Sequence, residues 1–280
     1  MLRHKSPLRY PGGKADIAPF VTTLIVRNDL ADGCYAEPYC GGAGVALEVL
    51  TSEIVRKIYL NDADHRIWAF WYSILNDTEG FLRLLRDTPV TVSEWKKQKQ
   101  IMNCQNNSDL LSLGFSTFYL NRCNRSGILS AGPIGGFRQG GEWRIDARFS
   151  KKELVQRIQF IANYSNRITV SNLDALVFLT NLEQSPHSRK KLLVYLDPPY
   201  FSMGDRLYLN YYTKEDHIEL AKHMRSCNLK WILSYDDVSA VRRLYHGFPI
   251  KHANLTYHAN VRKNGGELMV FHPDITVPAM

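Results

Sequence analysis

The sequence lacks any run of 18 consecutive apolar residues, which excludes an ordinary membrane-spanning helix. Its start, Met1-Leu2-Arg3-His4-Lys5-Ser6, is basic with no apolar stretch behind it, so no secretory signal is expected. Cysteine is scarce. The five thiols (Cys34, Cys40, Cys104, Cys123, Cys227) are odd in number and never closely paired. That pattern suits reduced thiols in a cytoplasmic protein and argues against a zinc site. The dinucleotide fingerprint G-x-G-x-x-G is missing as well: Gly42 and Gly44 are followed by Leu47 where a third glycine is required. No internal repeat or low-complexity tract is visible.

What is present is an ordinary globular composition, 45% hydrophobic and 22% charged, with a net charge of +8. At 280 residues the chain suffices for one large domain or two small ones. The charge is segregated. Between Arg83 and Lys152 stand twelve Lys or Arg against five Asp or Glu, a surplus of seven in a quarter of the chain. Such a stretch has the footprint of a phosphate-binding surface.

Two strand-rich blocks flank this basic middle. Apolar runs predict strands over Cys34–Pro38 and Lys57–Asp62, then Arg167–Ser171, Lys191–Asp197 and Lys230–Tyr235. Two more are expected near His252–Tyr257 and Glu267–His272, with Gly265-Gly266 marking an antiparallel hairpin. Helical spacing recurs between them. Thr213 with Asp216 predicts a capped helix over Lys214–Arg225, and Asp237–Tyr245 predicts another that stops before Gly247. Strands alternating with helices imply an α/β fold with a mostly parallel sheet covered on both faces. Residues 77–120 read as short helices, and 121–145 carry six glycines with little periodicity. Ser150 and Glu153 predict a capped helix with Leu154, Ile158 and Ile161 inward. The expected organisation is a catalytic domain of residues 1–76 and 161–280, interrupted by a recognition subdomain at 77–160.

Three motifs carry chemistry. The apolar run Leu192–Leu196 ends in Asp197-Pro198-Pro199-Tyr200. An acid at the carboxyl end of an open α/β sheet faces the ligand crevice, and the two prolines stiffen the turn behind it. The Asp197 carboxylate and the Pro198 carbonyl could accept both hydrogens of an exocyclic amine, with Tyr200 against the ring that bears it. Glu37-Pro38-Tyr39-Cys40-Gly41-Gly42-Ala43-Gly44 joins a strand to a helix, where glycines let a ligand approach backbone N–H groups. The next strand ends at Asp62, placed to accept from a ribose diol. Together these indicate a nucleotide-like cofactor without separating NAD from S-adenosylmethionine, though the missing fingerprint disfavours a dinucleotide. Finally, Arg9-Tyr10-Pro11-Gly12-Gly13-Lys14 opens a helix and forms an anion pocket suited to a carboxylate.

Tyr10–Lys14, Glu37–Gly44, Asn61-Asp62, Asn121-Arg122 and Asp197–Tyr200 together resemble the ordered motifs of the D12 class of DNA adenine-N6 methyltransferases, the Dam-like family. The resemblance implies a Rossmann-like, S-adenosylmethionine-dependent methyltransferase sheet with an inserted, mainly helical DNA-recognition subdomain. It implies cofactor contacts at Tyr10, Lys14, Glu37, Pro38, Gly41, Asp62 and, more loosely, Asp174, with Asp197 shared between cofactor and substrate. Asp197, Pro198 and Tyr200 become the catalytic group. Two departures stand out: Tyr10 replaces a tryptophan, and Ala43 occupies a position that is glycine in many members.

The basic middle is then expected to hold double-stranded DNA. Lys96, Lys97 and Lys99 are assigned to phosphate. Asn121, Arg122, Asn124, Arg125 and Arg138 are assigned to the DNA-reading surface, where Arg and Asn suit paired bonds to base edges. The expected reaction is site-specific methylation of a flipped-out adenine at N6, by a monomer, without metal or membrane; the sequence leaves open whether a cognate restriction endonuclease is a further partner. Alternatives are methylation of cytosine N4 or RNA adenine, a non-catalytic DNA-binding protein on the same fold, and a nicotinamide oxidoreductase. Cytosine-C5 chemistry is disfavoured because no Pro-Cys dipeptide occurs.

Overall fold

Seven short apolar segments pair into one sheet. They are β1 (Cys34–Glu37), β2 (Lys57–Asn61), β3 (Ile168–Ser171), β4 (Leu192–Leu196), β5 (Lys230–Asp236), β6 (Ile250–Ala253) and β7 (Glu267–Phe271). The computed structural model describes residues 5–9, 14–104, 109–185, 191–201, 212–253 and 267–278. Tyr10, the Gly12-Gly13 pair and the Gly265-Gly266 pair lie outside the described residues.

The strand order is β3-β2-β1-β4-β5-β7-β6. β1 is parallel to β2 and β4, β2 to β3, and β4 to β5. β7 runs antiparallel between β5 and β6. The first five strands follow the Rossmann order, which reverses direction between β1 and β4. Every residue of β4 is buried, as a parallel strand covered on both faces requires. The helices α1 (Ala18–Arg27), α2 (Gly44–Thr51), α8 (Ala175–Gln184), α9 (Lys214–Ser226) and α10 (Ser239–Leu244) belong with this sheet. Thr213 and Asp216 form the reciprocal capping box that starts α9.

The sheet unit comprises Lys14–Asp64 and Arg167–Met280, and a second compact unit comprises Met1–Gly13 and His65–Asn166. The second unit is built from α3 (His65–Asn76), α4 (Thr78–Asp87), α5 (Val92–Asn103), α6 (Leu110–Cys123) and α7 (Lys151–Ala162). Its core is aromatic. Phe70 stacks on Phe118 at 5.8 Å, and Phe81 meets both edge-on at 5.7 and 5.4 Å. All three rings are fully buried, worth about 1.5–3 kcal/mol each. A side chain at Gly114 would put its Cβ 2.5 Å from the Ala69 carbonyl oxygen, so α3 and α6 cross at a contact only glycine permits. This packing places α3 in the helical unit, so that unit extends beyond the 77–160 span drawn from composition at both ends. Leu154, Ile158 and Ile161 of α7 are buried as their spacing implies. The Ser150 side chain, in contrast, makes no capping bond, and the expected Ser150–Glu153 cap is absent. Among the described residues no helix is long and apolar enough to cross a membrane.

Candidate active site

The sheet order fixes where a ligand crevice opens: beyond the carboxyl ends of β1 and β4, where the winding reverses. Both motif loops leave the sheet there. Asp197 follows β4 directly, and its carboxylate oxygen Oδ1 accepts a 2.7 Å hydrogen bond from the Ser234 hydroxyl on β5. Ser234 is in turn 2.9 Å from the Tyr195 hydroxyl. Lys14 Nζ lies 3.4 Å from the same Oδ1. Among the described residues, Ser234 and Lys14 thus both act on the same oxygen of Asp197. Burial pushes the Asp197 carboxyl above the usual carboxylate range, with Lys14 and Ser234 pulling it back and Glu267 adding to the rise.

Lys14 is itself buried, and three of its partners are among the described residues. Its ammonium donates to the Tyr200 hydroxyl at 2.9 Å and to Glu267 Oε1 at short range, besides pairing with Asp197. Tyr200 donates to Glu267 Oε1 at 2.8 Å. The turn between them is held by the Phe201 N–H, which donates to Asp236 Oδ1 at 2.9 Å. Pro198 is buried and Tyr200 half-buried. One cation thus sits among two carboxylates and a phenol, an arrangement that only mutual pairing makes tolerable inside a protein.

The glycine loop is braced from below by two acids. Glu37 is buried, and its Oε1 accepts from the Tyr35 hydroxyl and the Ala46 N–H, both at 3.1 Å. Burial raises its carboxyl to about 8 against the pull of those two bonds. Asp62, just past β2, accepts from the Gly41 N–H at 2.9 Å and the Asp64 N–H at 3.0 Å. Asn61 ties the Pro38 carbonyl to Leu173 at the neighbouring strand end. Ala43 takes the left-handed conformation, φ 48° and ψ 36°, that glycine adopts without cost. The N-cap residue of α2 offers no side-chain cap, and in its first turn the Ala46 N–H is taken by Glu37. Asp174 is the N-cap of α8, its Oδ1 accepting from Leu176 N–H at 2.8 Å and Val177 N–H at 3.3 Å. It is an exposed cap.

The helical unit sorts the basic and amide residues into two groups. Asn121 and Asn124 are interior. Asn121 brackets the Arg9 backbone, accepting from its N–H and donating to its carbonyl, each at 2.7 Å, and also donates to the Gly127 carbonyl. Gly127 sits at φ 76°, and a Cβ there would lie 2.5 Å from the Arg9 carbonyl oxygen. Asn124 accepts from the Trp95 indole at 2.6 Å and donates to the carbonyls of Ile128 and Leu129. Both amides, assigned to the DNA-reading surface from sequence, are placed in the interior, where their hydrogen bonds hold the loops. Lys99 is half-buried with its ammonium on the Leu129 carbonyl at 2.8 Å. Arg122 binds the Arg148 carbonyl, and its guanidinium falls to about 9, from burial first and then from the nearby Arg9 and Arg157. Lys96, Lys97, Arg125 and Arg138 are exposed. So are Phe137 and Trp143, at 59% and 60%, with the Arg148 guanidinium 5.8 Å above the Trp143 ring.

The profile of the D12 class N6 adenine-specific DNA methyltransferases matches residues 10–259. The chain belongs to that family. It is a DNA methyltransferase of adenine-N6 type on a Rossmann-like methyltransferase sheet. No curated protein sequence matches it significantly. Among solved structures it is similar to a conserved hypothetical protein from Streptococcus pyogenes, at 11% identity over 85% of each chain, with a TM-score of 0.33. A putative methyltransferase, yhhF, from Escherichia coli shares 10% identity over 94% of this chain and 90% of that one, also with a TM-score of 0.33.

Several residues of this methyltransferase's site escape a reading by motif. Glu267 pairs across the sheet with Asp236 in the β5–β7 register. Its only sequence mark is a lone acid ahead of the apolar run Leu268–Phe271. Ser234 and Tyr195 sit inside strands, where a hydroxyl gives no local signal. Phe137 and Trp143 could have been found as large aromatics within a stretch of six glycines.

Proposed function

We propose that the protein transfers the methyl group of S-adenosylmethionine to N6 of an adenine drawn out of duplex DNA. The observation that carries this reading is the Asp197 carboxylate just past β4, whose Oδ1 is held by the Ser234 hydroxyl and faces the Lys14 ammonium. In this reading Oδ2 and the Pro198 carbonyl accept the two N6 hydrogens. That grip turns the nitrogen lone pair away from the ring and towards the methyl group, and stabilises the positive charge that develops on nitrogen. The Tyr200 ring supplies a face for the extruded base. Extrusion costs a few kcal/mol, about the value of the new stacking and hydrogen bonds.

The cofactor contributes an electrophilic methyl on a sulfonium. The residues at the glycine loop suit such a ligand: the start of α2, whose N-cap residue offers no side-chain cap, for polar atoms, Asp62 at the strand end for a ribose, and a buried acid-rich cluster around Lys14 beside them. Glu37 braces the loop from beneath, and Lys14 holds Tyr200 and Asp197 in register. Tyr10 is assigned to cofactor contact by the family resemblance alone. Exposed Lys96, Lys97, Arg125 and Arg138 supply phosphate contacts, and Phe137 and Trp143 supply apolar faces for stacking against bases.

The test is methyl transfer from radiolabelled S-adenosylmethionine to random-sequence duplex DNA, followed by nucleoside analysis. The label should appear in N6-methyl-2′-deoxyadenosine with the native chain and vanish with Asp197→Ala, while cofactor affinity stays within about tenfold. Near-normal turnover by Asp197→Ala, or label in N4-methylcytosine, would overturn the reading.

A further inference from the structure

The five scattered cysteines give no zinc spacing in sequence, yet the fold brings one of them into a mixed donor cluster. Glu183 lies in the last turn of α8. His223 lies in the last turn of α9, and Cys227 is the residue that closes that helix. His223 and Cys227 are four apart and share a helix face. The ligating atoms of all three residues lie within 4.8 Å of one another. His223 Nε2 is shut off from solvent and makes no hydrogen bond. Glu183 Oε2 stands 3.5 Å from it, close to the separation of two ligands sharing one tetrahedral zinc, about 3.3–3.5 Å for bonds near 2.0–2.1 Å. Glu183 also accepts from the Asn228 N–H at 3.3 Å, which fixes it to the chain just past Cys227. Cys227 is buried.

We propose that Glu183, His223 and Cys227 bind one zinc ion, with water in the fourth position. Oxygen, imidazole nitrogen and thiolate sulfur are a donor set that suits zinc and excludes magnesium or calcium, which take oxygen ligands. Binding would release the Cys227 thiol proton to solvent, and the dication would then offset the charges of the thiolate and the Glu183 carboxylate. Both helix ends lead back to the amino-terminal edges of β4 and β5, whereas Asp197 and the glycine loop leave the carboxyl edges. The ion would therefore staple α8 to α9 away from the crevice, and its role is structural. The inference is independent of the proposed methyl transfer.

The experiment uses the tag-free full-length chain, stripped with chelator and titrated with zinc or cobalt alone. One equivalent of cobalt should give a thiolate-to-metal absorption band in the near ultraviolet and tetrahedral bands in the visible. One equivalent of zinc should abolish them and raise the melting temperature by several degrees, reversibly on chelation. Cys227→Ser and His223→Ala should lose the bands and the shift, while Cys104→Ser, at an exposed thiol on another helix, should keep both. If Cys227→Ser fails to fold, Glu183→Gln serves instead: native circular dichroism with zinc affinity down tenfold or more supports the site. Absence of the cobalt band in the native chain would overturn the proposal. So would a band and melting shift that persist in Cys227→Ser or disappear in Cys104→Ser, or unchanged zinc affinity in Glu183→Gln.

Discussion

The Ser234 hydroxyl donates to Asp197 Oδ1 at 2.7 Å, so a serine on β5 sets the direction of the acid that ends β4. The hydroxyl also lowers the proton affinity of that acid, against the burial that raises it. Ser234→Ala removes the bond. Methyl transfer should fall roughly tenfold, on the scale of one hydrogen bond to a charged group. The acid limb of the turnover–pH profile should move to higher pH, because the carboxyl without that bond holds its proton more tightly. A profile of unchanged midpoint would show that Ser234 does not act through Asp197.

Lys14 neutralises two neighbouring carboxylates. Lys14→Met would leave Asp197 and Glu267 facing each other in a buried place, and should cost about 3 kcal/mol near neutral pH. The loss should shrink as pH falls and Asp197, already pushed up by burial, takes its proton. Urea unfolding at several pH values measures this, and an equal loss at every pH would contradict the pairing.

Glu37 imposes a stability trend of the opposite kind. In the unfolded chain it ionises in the ordinary carboxylate range, whereas in the folded protein it keeps its proton up to about pH 8. Its contribution is therefore full below the ordinary range and is lost as pH rises through 8. Glu37→Gln keeps a neutral acceptor for Tyr35 and Ala46 and should flatten this decline. Paired denaturation curves between pH 5 and 9, at about unit steps, decide the matter, since parallel curves would refute it.

The lysines of α5 divide by exposure. Lys96 and Lys97 are exposed, whereas Lys99 is tied to the Leu129 carbonyl. Converting Lys96 and Lys97 to Gln should reduce the slope of log affinity for duplex DNA against log salt by about 1.8. Lys99→Gln should leave the slope nearly unchanged and instead loosen the loop it braces. Equal slopes for the double variant and the native chain would remove α5 from the DNA contact.

Ala43 carries a small conformational strain. Left-handed backbone costs a non-glycine residue roughly 1–2 kcal/mol, offset by the chain entropy glycine would lose and by one buried methyl. Ala43→Gly should therefore raise stability by a few tenths to about 1 kcal/mol, read from the denaturant midpoint. A drop in midpoint would mean that the buried methyl outweighs the strain.

Much of the sheet was legible because buried parallel strands are continuous apolar runs with abrupt ends. Leu192–Leu196 and Lys230–Asp236 lie within a residue of their expected bounds. The α9 cap could be read because both of its partners are local. Non-local partners hid the rest. An amide beside arginines resembles surface chemistry, yet Asn121 and Asn124 are sealed under backbone carbonyls of Arg9, Gly127, Ile128 and Leu129. No local signal names the partner of α3, so its membership of the helical unit emerged only from the Gly114 crossing. Glu183 and Cys227 are too far apart in sequence for any ligand spacing to register.

The ammonium near the beginning of the chain finds its counter-charge 253 residues downstream, on the strand that sits second from the sheet's edge. Peeling that strand away would leave the Lys14 cation beside Asp197 alone and release the Tyr200 phenol from Glu267. Loss of turnover under mild denaturation should thus run ahead of helix melting, making the enzyme's own chemistry the earliest sensor of damage to its final strands.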